Sequence, residues 1–209
     1  MTVTETADQP LVRAQGLSKR YDDKRVLSKL TFSLQNGGFL LITGPNGAGK
    51  STLLRMCAGL EGPTAGVLEV GVERDELGYL GHEPLLYREL TALENLELFA
   101  KLYRVPERRD RIGELLERFG MWGERDNRIS TYSRGMTQRV ALCRVLLHEP
   151  RLLILDEPYT ALDAAGCELL DAVLAERRGN HTFLVSTHDP ARIEHLASDR
   201  LAFAEGAAT

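Results

Sequence analysis

The stretch Gly-Pro-Asn-Gly-Ala-Gly-Lys-Ser-Thr, residues 44–52, has the composition and spacing of a phosphate-binding loop. It follows a short apolar run at 39–43 and precedes a predicted helix, which is the context this pattern requires. Its glycines let the backbone bend so that successive N–H groups point inward, and the helix start adds further free amides. In this pattern Lys50 gives positive charge to the β- and γ-phosphate oxygens, and Ser51 offers a hydroxyl to Mg²⁺.

The alternative interpretation, an ordinary glycine-rich turn, does not explain why Lys-Ser and both flanking elements occur together. We therefore predict a nucleotide-binding loop made of Gly44, Pro45, Asn46, Gly47, Ala48, Gly49, Lys50, Ser51 and Thr52.

An acidic pair follows a second apolar run at 152–155. We expect Asp156 at the carboxyl end of a buried strand, where α/β proteins bind ligands, and there it can hold Mg²⁺ directly or through water. Glu157 can polarise an attacking water as a general base, an effect of about 10²–10⁴ in rate. The alternative is a pair that merely closes a strand. That is reasonable for the pair alone and poor once the phosphate-binding loop is present.

Three apolar runs without period-2 alternation predict strands buried on both faces of a parallel sheet: 39–43, 152–155 and 183–185. Helical stretches separate these runs, which favours βαβ units. The helix after the first run should begin near Gly49 and end at Gly59. Asp189, followed by a proline, is predicted to cap another helix.

Two flanking segments differ from this core. Residues 11–34 alternate apolar and polar positions around a turn at Asp22-Asp23, which predicts antiparallel strands. Residues from about 90 to 148 are predicted to be mostly helical, and Thr91 with Glu94 fits a capping box. The prediction is an α/β fold: a parallel core, an antiparallel N-terminal β-subdomain and a helical subdomain at about 84–148.

Composition limits the function classes. The formal net charge of −4 and the pI near 5.8 argue against a nucleic-acid partner. The arginines of the amphipathic stretch 107–120 are expected to form a solvated face. No apolar run approaches the length of a membrane span, and residues 1–10 are polar and lack the features of a secretory signal. We expect those ten residues to be a disordered tail before one domain at 11–209.

The stretch from 132 to 163 resembles the signature-to-Walker-B block of ATP-binding cassette (ABC) ATPases, and the likeness extends in order over nearly the whole chain. It implies a P-loop NTPase (RecA-like) core that hydrolyses ATP with Mg²⁺. Tyr21 stands where the family places an aromatic residue that stacks on adenine; alternatively it is an exposed turn aromatic. Asp163 corresponds to the D-loop, or only caps the next helix. His188 corresponds to the switch histidine, which assists catalysis with Glu157, or is a neighbour of a cap.

The signature loop comprises Ser133, Arg134, Gly135 and Met136. A serine N-cap with free amides behind it forms an anion site. The resemblance implies that this loop contacts the ATP bound by a second copy in a head-to-tail homodimer. The family usually reads Leu-Ser-Gly-Gly-Gln here, so Met136 removes an amide side chain.

A larger departure lies at residue 82. Aligned through 91–96, the glutamine that senses Mg²⁺ in the family falls on His82. Imidazole is a poor ligand for a hard cation that prefers oxygen, whereas the adjacent Glu83 can supply oxygen. The sensing role stays open between these two residues, and His82 is alternatively a surface residue at a strand end.

Residues 84–103 resemble the groove in which ABC ATPases receive a short cytoplasmic helix of an integral membrane subunit. Leu86 and Tyr87 are predicted as exposed docking contacts. The apolar residues that follow at helical spacing are expected to lie mostly in the core: Leu93, Leu96, Phe99, Ala100 and Tyr103. The resemblance implies a membrane partner on a separate chain, with this chain cytoplasmic at the inner face of the cell membrane.

A narrower resemblance concerns residues 79–96 and 155–166, which are similar to the ATPase subunits of the haem exporters used in cytochrome c maturation. A non-transport ABC ATPase, such as one serving iron–sulfur cluster assembly, remains the alternative.

Overall fold

The computed structural model describes residues 9–204. Residues 1–8 of the expected tail lie outside this range. The strands are β1 (Val12–Tyr21), β2 (Lys24–Leu34), β3 (Phe39–Thr43), β4 (Ala65–Val70), β5 (Leu77–Leu80), β6 (Leu152–Asp156), β7 (Thr182–Ser186) and β8 (Asp199–Ala202). The α-helices are α1 (Lys50–Cys57), α2 (Ala92–Leu102), α3 (Arg108–Arg118), α4 (Arg134–Leu146) and α5 (Ala164–Arg177).

Five strands form a parallel sheet in the order β5-β6-β7-β3-β8. The middle strands β6, β7 and β3 are the three apolar runs of the sequence, and they are almost entirely buried. This confirms the predicted parallel core. The edge strands β5 and β8 were not predicted, because both are only four residues long and neither is a continuous apolar run.

Alternate residues of the parallel strands face two separate apolar clusters. Leu41, Leu155 and Val185 pack in the cluster that contains the buried residues of α2, α3, α4 and α5. Their chain neighbours Ile42 and Leu184 pack with α1 and the N-terminal strands. Because burial of each such side chain contributes about 1.5–3 kcal/mol, the two clusters hold the sheet between its layers and fix the strand ends that carry the site.

The second sheet is antiparallel, with strand order β2-β1-β4. Asp22 begins the predicted turn between β1 and β2 with a φ of 48°. The third strand, β4, was not predicted, because its residues are mostly exposed. It approaches β1 so closely that a Cβ on Gly66 would lie 2.4 Å from the carbonyl oxygen of Gly16, so only glycine fits there.

The predicted helix boundaries are largely confirmed. α1 ends at Cys57, and Gly59 follows with a φ of +68°, as a helix-terminating glycine does. The capping box of α2 is present: Thr91 Oγ1 accepts a hydrogen bond from Glu94 N at 3.1 Å, and Glu94 Oε2 accepts one from Thr91 N at 2.8 Å.

Two local predictions were correct only in part. Asp189 occupies the N-cap position with Pro190 first, but the element is a 3-10 turn, Pro190–Arg192, and the Asp189 side chain makes no capping hydrogen bond. Arg111 is not on a solvated face. Its side chain is only 19% exposed, and its guanidinium lies 3.0 Å from Glu149 Oε1 and donates to Leu146 O at 3.2 Å. These contacts come from the last residue of α4 and from Glu149 just after it, so the spacing of residues along α3 could not predict them.

A buried asparagine joins α2 to the loop before it. Asn95 is fully buried; its Oδ1 accepts from Tyr87 N at 2.8 Å, and its Nδ2 donates to Tyr87 O at 3.0 Å and Thr91 O at 2.8 Å. These bonds satisfy backbone groups of the loop that carries Tyr87, and so they fix its conformation.

Replacing Asn95 with alanine should lower the free energy of unfolding by about 1–3 kcal/mol, because buried backbone groups of the loop lose their partners. Urea denaturation followed by circular dichroism measures this change. The exposed Lys101→Ala on the same helix is the control and should leave the urea midpoint almost unchanged. Equal midpoints for both variants would contradict the role given to Asn95.

Candidate functional site

A cavity of about 550 Å³ lies at the carboxyl ends of β3, β6 and β7, a volume within the range of small-molecule sites. It brings together the two motifs that the sequence analysis singled out. Its lining residues are Val26, Pro45, Asn46, Gly47, Ala48, Gly49, Lys50, Ser51, Thr52, His82, Asp156, Glu157, Thr160 and His188.

The loop between β3 and α1 depends on glycine at close contacts. Gly44 has a φ of 140°, and a Cβ there would lie 2.7 Å from Phe203. Gly49, the N-cap of α1, has a φ of 105°, and a Cβ there would lie 3.0 Å from the carbonyl oxygen of Val26. Because Gly49 has no side chain to cap the helix, the first amides of α1 stay available for an anion.

Lys50 is buried beside this loop, with 7% of its surface exposed. Its Nζ donates to Gly44 O at 2.7 Å and to Pro45 O at 3.2 Å, and it lies 3.8 Å from Glu157 Oε1. A buried ammonium group held at a loop of free amides makes this wall of the cavity favourable for a polyphosphate.

Asp156 is buried at the end of β6, where it pairs in register with Ser186 of β7. Ser186 Oγ donates to Asp156 Oδ1 at 2.6 Å and accepts from Glu157 N at 3.0 Å. One buried hydroxyl therefore orients both acidic residues. Sequence reasoning missed Ser186. The available signal was a serine at the end of an apolar run, which gains meaning only when the strand neighbours are known.

Glu157 and His188 are in direct contact. Glu157 Oε2 lies 2.7 Å from His188 Nδ1 and accepts from His188 N at 3.1 Å. The other carboxylate oxygen faces Lys50, so the carboxylate lies between a cation and an imidazole. This group can accept a proton from water once either neighbour turns toward a phosphate.

The oxygen donors fit a hard divalent cation. Ser51 and Asp156 line the same cavity and offer a hydroxyl and a carboxylate. Within residues 9–204, no group of three or more His, Cys, Asp or Glu residues could hold a metal by itself. A Mg²⁺ ion held here by Ser51 and Asp156 would need further oxygen ligands, such as waters or the phosphate oxygens of a bound nucleotide. Of the two alternatives at the strand end, His82 is among the described residues that line the cavity and Glu83 is not.

Tyr21 lies beside the loop but outside the cavity lining, as far as the described residues go. It is 42% exposed, its hydroxyl donates to the Glu61 carboxylate, and Lys19 Nζ lies 4.9 Å from its ring centroid. Partial burial and then Glu61 raise the pKa of the phenol, while the Thr52 hydroxyl lowers it. The ring is thus held near the first helix turn, and stacking on a base remains a prediction.

Ser133 caps α4: its Oγ accepts from Met136 N at 3.2 Å. Ser133 and Arg134 are exposed. Among the described residues, none from 133–136, Gly135 included, lines the phosphate-loop cavity. Arg134 does line an adjacent cavity together with Asp156 and Glu157, so the signature loop lies beside the phosphate-loop cavity and not in its lining.

Asp163 caps α5 by accepting from Gly166 N at 2.9 Å, and it also accepts from Arg139 at 2.5 Å. The hydrogen bond from Arg139 is the main reason that the pKa of this carboxyl is lowered. Asp163 is thereby joined to α4, the helix that begins at the signature loop.

Of the two residues predicted to be exposed docking contacts, one is exposed and the other is not. Tyr87 is 57% exposed, but Leu86 is partly buried and packs on the core, so its predicted exposure was wrong. Leu85 is exposed instead, at 51%, and has a φ of 51° that turns the chain at this point. In the stripe on α2, Leu96 and Ala100 are fully buried, as expected.

Comparisons with known proteins agree with this geometry. The ABC transporter family matches residues 27–160. The chain is 38% identical over 202 residues to the daunorubicin resistance ATP-binding protein DrrA3 of Streptomyces coeruleorubidus, covering 91% of this chain and 64% of that protein. It is 35% identical over 206 residues to the cytochrome c biogenesis ATP-binding export protein CcmA of Haemophilus influenzae, covering 93% and 97%.

A solved structure described as the ATP-binding subunit of an ABC transporter superposes with a TM-score of 0.85 at 31% identity, covering 92% of this chain and 85% of that one. The chain spans 62 to 64% of the length of several curated relatives, including the Streptomyces protein.

These matches define the class: an α/β P-loop NTPase fold with an ABC-type ATP-binding site. The chain belongs to the ABC transporter ATP-binding family, a family of ATP-hydrolysing domains that generally use Mg²⁺ with ATP. Among the helices of residues 9–204, none is both long enough and apolar enough to span a bilayer.

Ser186→Ala should weaken ATP binding at low Mg²⁺ concentration, because Asp156 loses the hydroxyl that orients its carboxylate. Isothermal titration with a non-hydrolysable ATP analogue over a series of Mg²⁺ concentrations measures this effect. Ser198→Ala is the matched control, since Ser198 Oγ accepts from Phe39 N at 2.9 Å without touching the acidic pair. The same Mg²⁺ dependence in both variants would remove Ser186 from the site.

Proposed function

We propose that this chain is the ATP-hydrolysing subunit of an ABC transporter and that it powers transport through a membrane subunit on another chain. The observation that carries the proposal is the cavity in which Lys50, Asp156, Glu157 and His188 meet the phosphate-binding loop. The family match over residues 27–160 supports the same class.

In this proposal each wall of the cavity has one task. The amides of the loop and of the start of α1 bind the phosphates, and Lys50 leaves the carbonyl oxygens of Gly44 and Pro45 to neutralise the β/γ oxygens. Ser51 and Asp156 would hold Mg²⁺, which neutralises developing charge when bound. Tyr21 provides a stacking surface for the base.

Glu157 acts as the general base. Its contact with His188 opens when His188 turns to the γ-phosphate, and the freed carboxylate oxygen then accepts a proton from the attacking water. Lys50 also leaves Glu157 for the phosphates, so the arrival of substrate releases both neighbours of the base. In this proposal ATP binding itself frees the Glu157 carboxylate to accept the proton.

The exposed signature loop supports a second copy as partner. Ser133 and the first amides of α4 form an anion site outside the chain's own cavity. In a twofold head-to-tail homodimer the same surface on each copy can cover the ATP of the other. Asp163, joined to α4 through Arg139, would lie at this interface.

Glu157→Gln should keep ATP affinity within about twofold and slow hydrolysis by about 10²–10⁴, because the amide cannot accept the proton. Phosphate release measures the rate, and gel filtration with ATP and Mg²⁺ should show a dimer. Glu168→Gln, an exposed position on α5, is the control and should hydrolyse ATP at the wild-type rate. Wild-type turnover in Glu157→Gln would exclude the residue as base.

For the metal-sensing position we propose His82, because it lines the cavity. Since imidazole is a poor direct ligand for Mg²⁺, His82 would act through a hydrogen bond to a water of the metal's coordination shell. His82→Ala should raise the Mg²⁺ concentration for half-maximal hydrolysis several-fold, since the variant loses a polar group beside Ser51 and Asp156. Glu83→Ala is the matched neighbour and should leave this concentration unchanged. The reverse pattern in Mg²⁺ titrations would assign the role to Glu83.

For the membrane partner, we propose docking at the segment that exposes Leu85 and Tyr87. A partner helix docked there would lie near the nucleotide site, because the segment follows His82 closely in the chain. The chain would then act in the cytoplasm, peripheral to the inner face of the cell membrane. Co-purification of this chain from membranes with an integral membrane subunit would support this arrangement. Co-purification with a soluble scaffold protein alone would favour an assembly ATPase.

As substrate we propose haem, exported for cytochrome c biogenesis. The 35% identity to the Haemophilus protein CcmA over 206 residues supports this proposal. The sequence likeness of residues 79–96 and 155–166 to haem-exporter ATPase subunits also supports the proposal. Deletion of the gene should abolish holocytochrome c formation, and normal holocytochrome c would reject haem as the substrate while leaving the ATPase proposal intact.

A further inference from the structure

Tyr159, Asp171 and Arg192 form a hydrogen-bonded cluster outside the cavity lining of the described residues. Tyr159 Oη donates to Asp171 Oδ1 at 2.7 Å. Arg192 Nε donates to the same oxygen at 3.1 Å, and Arg192 Nη2 lies 2.8 Å from Oδ2. The guanidinium also lies over the Tyr159 ring, with Cζ 5.4 Å from the centroid. Both carboxylate oxygens are engaged in a two-pronged geometry that fixes orientation as well as distance.

The cluster joins two different catalytic segments. Tyr159 lies in the connection from β6 to α5, two residues after Glu157. Arg192 ends the 3-10 turn that follows β7, shortly after His188. Asp171, on α5, holds both. The segment that carries the proposed base is therefore tied to the segment that carries the proposed switch histidine.

Glu157 N also donates to Ser186 Oγ at 3.0 Å at the start of these segments, and the catalytic side chains themselves meet in the Glu157–His188 contact, with 2.7 Å between Oε2 and Nδ1. The proposed mechanism requires that contact to open when the γ-phosphate arrives. The cluster is not subject to this competition, because its three residues do not face the cavity. It can keep the two segments in register while the direct contact is broken.

The segment from Glu157 to Ala161 also needs contacts with other parts of the protein to keep its backbone conformation. Two of its non-glycine residues have left-handed backbone conformations, Glu157 with a φ of 50° and Ala161 with a φ of 69°, and Tyr159 lies between them. Such conformations persist only where the surroundings enforce them. Burial and then Asp171 raise the pKa of Tyr159 far above its ordinary value, so the phenol remains a hydrogen-bond donor at neutral pH.

We propose that Tyr159, Asp171 and Arg192 are positioning residues that keep Glu157 and His188 aligned during ATP hydrolysis. This inference rests on the proposed function. It predicts an effect on the chemical step and not on nucleotide binding, because none of the three touches the phosphate-binding loop.

Steady-state hydrolysis tests the proposal in the full chain. Asp171→Asn and Tyr159→Phe should each lower kcat by about 10- to 100-fold, the loss expected when catalytic groups shift slightly, with KM for ATP within twofold of wild type. Glu176→Gln is the matched control: it also removes a carboxylate of α5 paired with an arginine, Arg118 at 2.7 Å, but away from both segments. It should leave kcat unchanged.

Two further variants separate positioning from loss of fold. Arg192→Lys keeps the charge but loses the two-pronged contact, so it should retain only part of kcat, whereas Arg192→Ala should lose at least as much as Asp171→Asn. The double variant Asp171→Asn/Tyr159→Phe should be no slower than the worse single variant, because one unit is removed. Rates are taken well below each thermal midpoint, so a merely unstable variant keeps its kcat.

An unchanged kcat in Asp171→Asn and Tyr159→Phe, or losses that multiply in the double variant, would overturn the inference and leave the proposed function standing. Absence of ATP hydrolysis in the wild-type chain would instead be a failure of the proposed function.

Discussion

The carboxylate of Glu157 is held from two sides, by Lys50 at 3.8 Å and by His188 at 2.7 Å. A half-buried carboxylate is costly without such partners, and these partners come from the elements that follow β3 and β7. These contacts therefore bring groups from the ends of three neighbouring strands together in one cavity before a nucleotide binds. The glycines of the loop, the hydroxyl of Ser186 and the cluster around Asp171 all serve to hold that geometry.

The parallel core and the phosphate-binding loop could be predicted because their causes are local. A continuous apolar run such as 152–155 is buried on both faces wherever it occurs, and a loop that needs positive φ at Gly44 and Gly49 requires glycine in any context. The capping box of Thr91 is equally local, since both hydrogen bonds lie within one turn of helix.

The missed features depend on residues that are distant in sequence. Ser186 orients Asp156 only because β7 pairs with β6, and Arg111 is covered only because Glu149 follows α4 nearby. Leu86 is partly buried and Leu85 is exposed because a left-handed residue turns the chain at 85. The spacing of apolar residues along a helix or strand does not predict a turn of this kind.

The order of strands in the parallel sheet also has a consequence for biosynthesis. β3 lies between β7 and β8, so Phe39 near the start of the chain pairs with Phe183 near its end. A nascent chain must therefore carry the apolar run of β3 without its sheet neighbours until β7 and β8 have been synthesised. Long-range pairing of this kind slows folding and leaves exposed strands prone to aggregation, so the ribosome-bound intermediate is the state most in need of a chaperone.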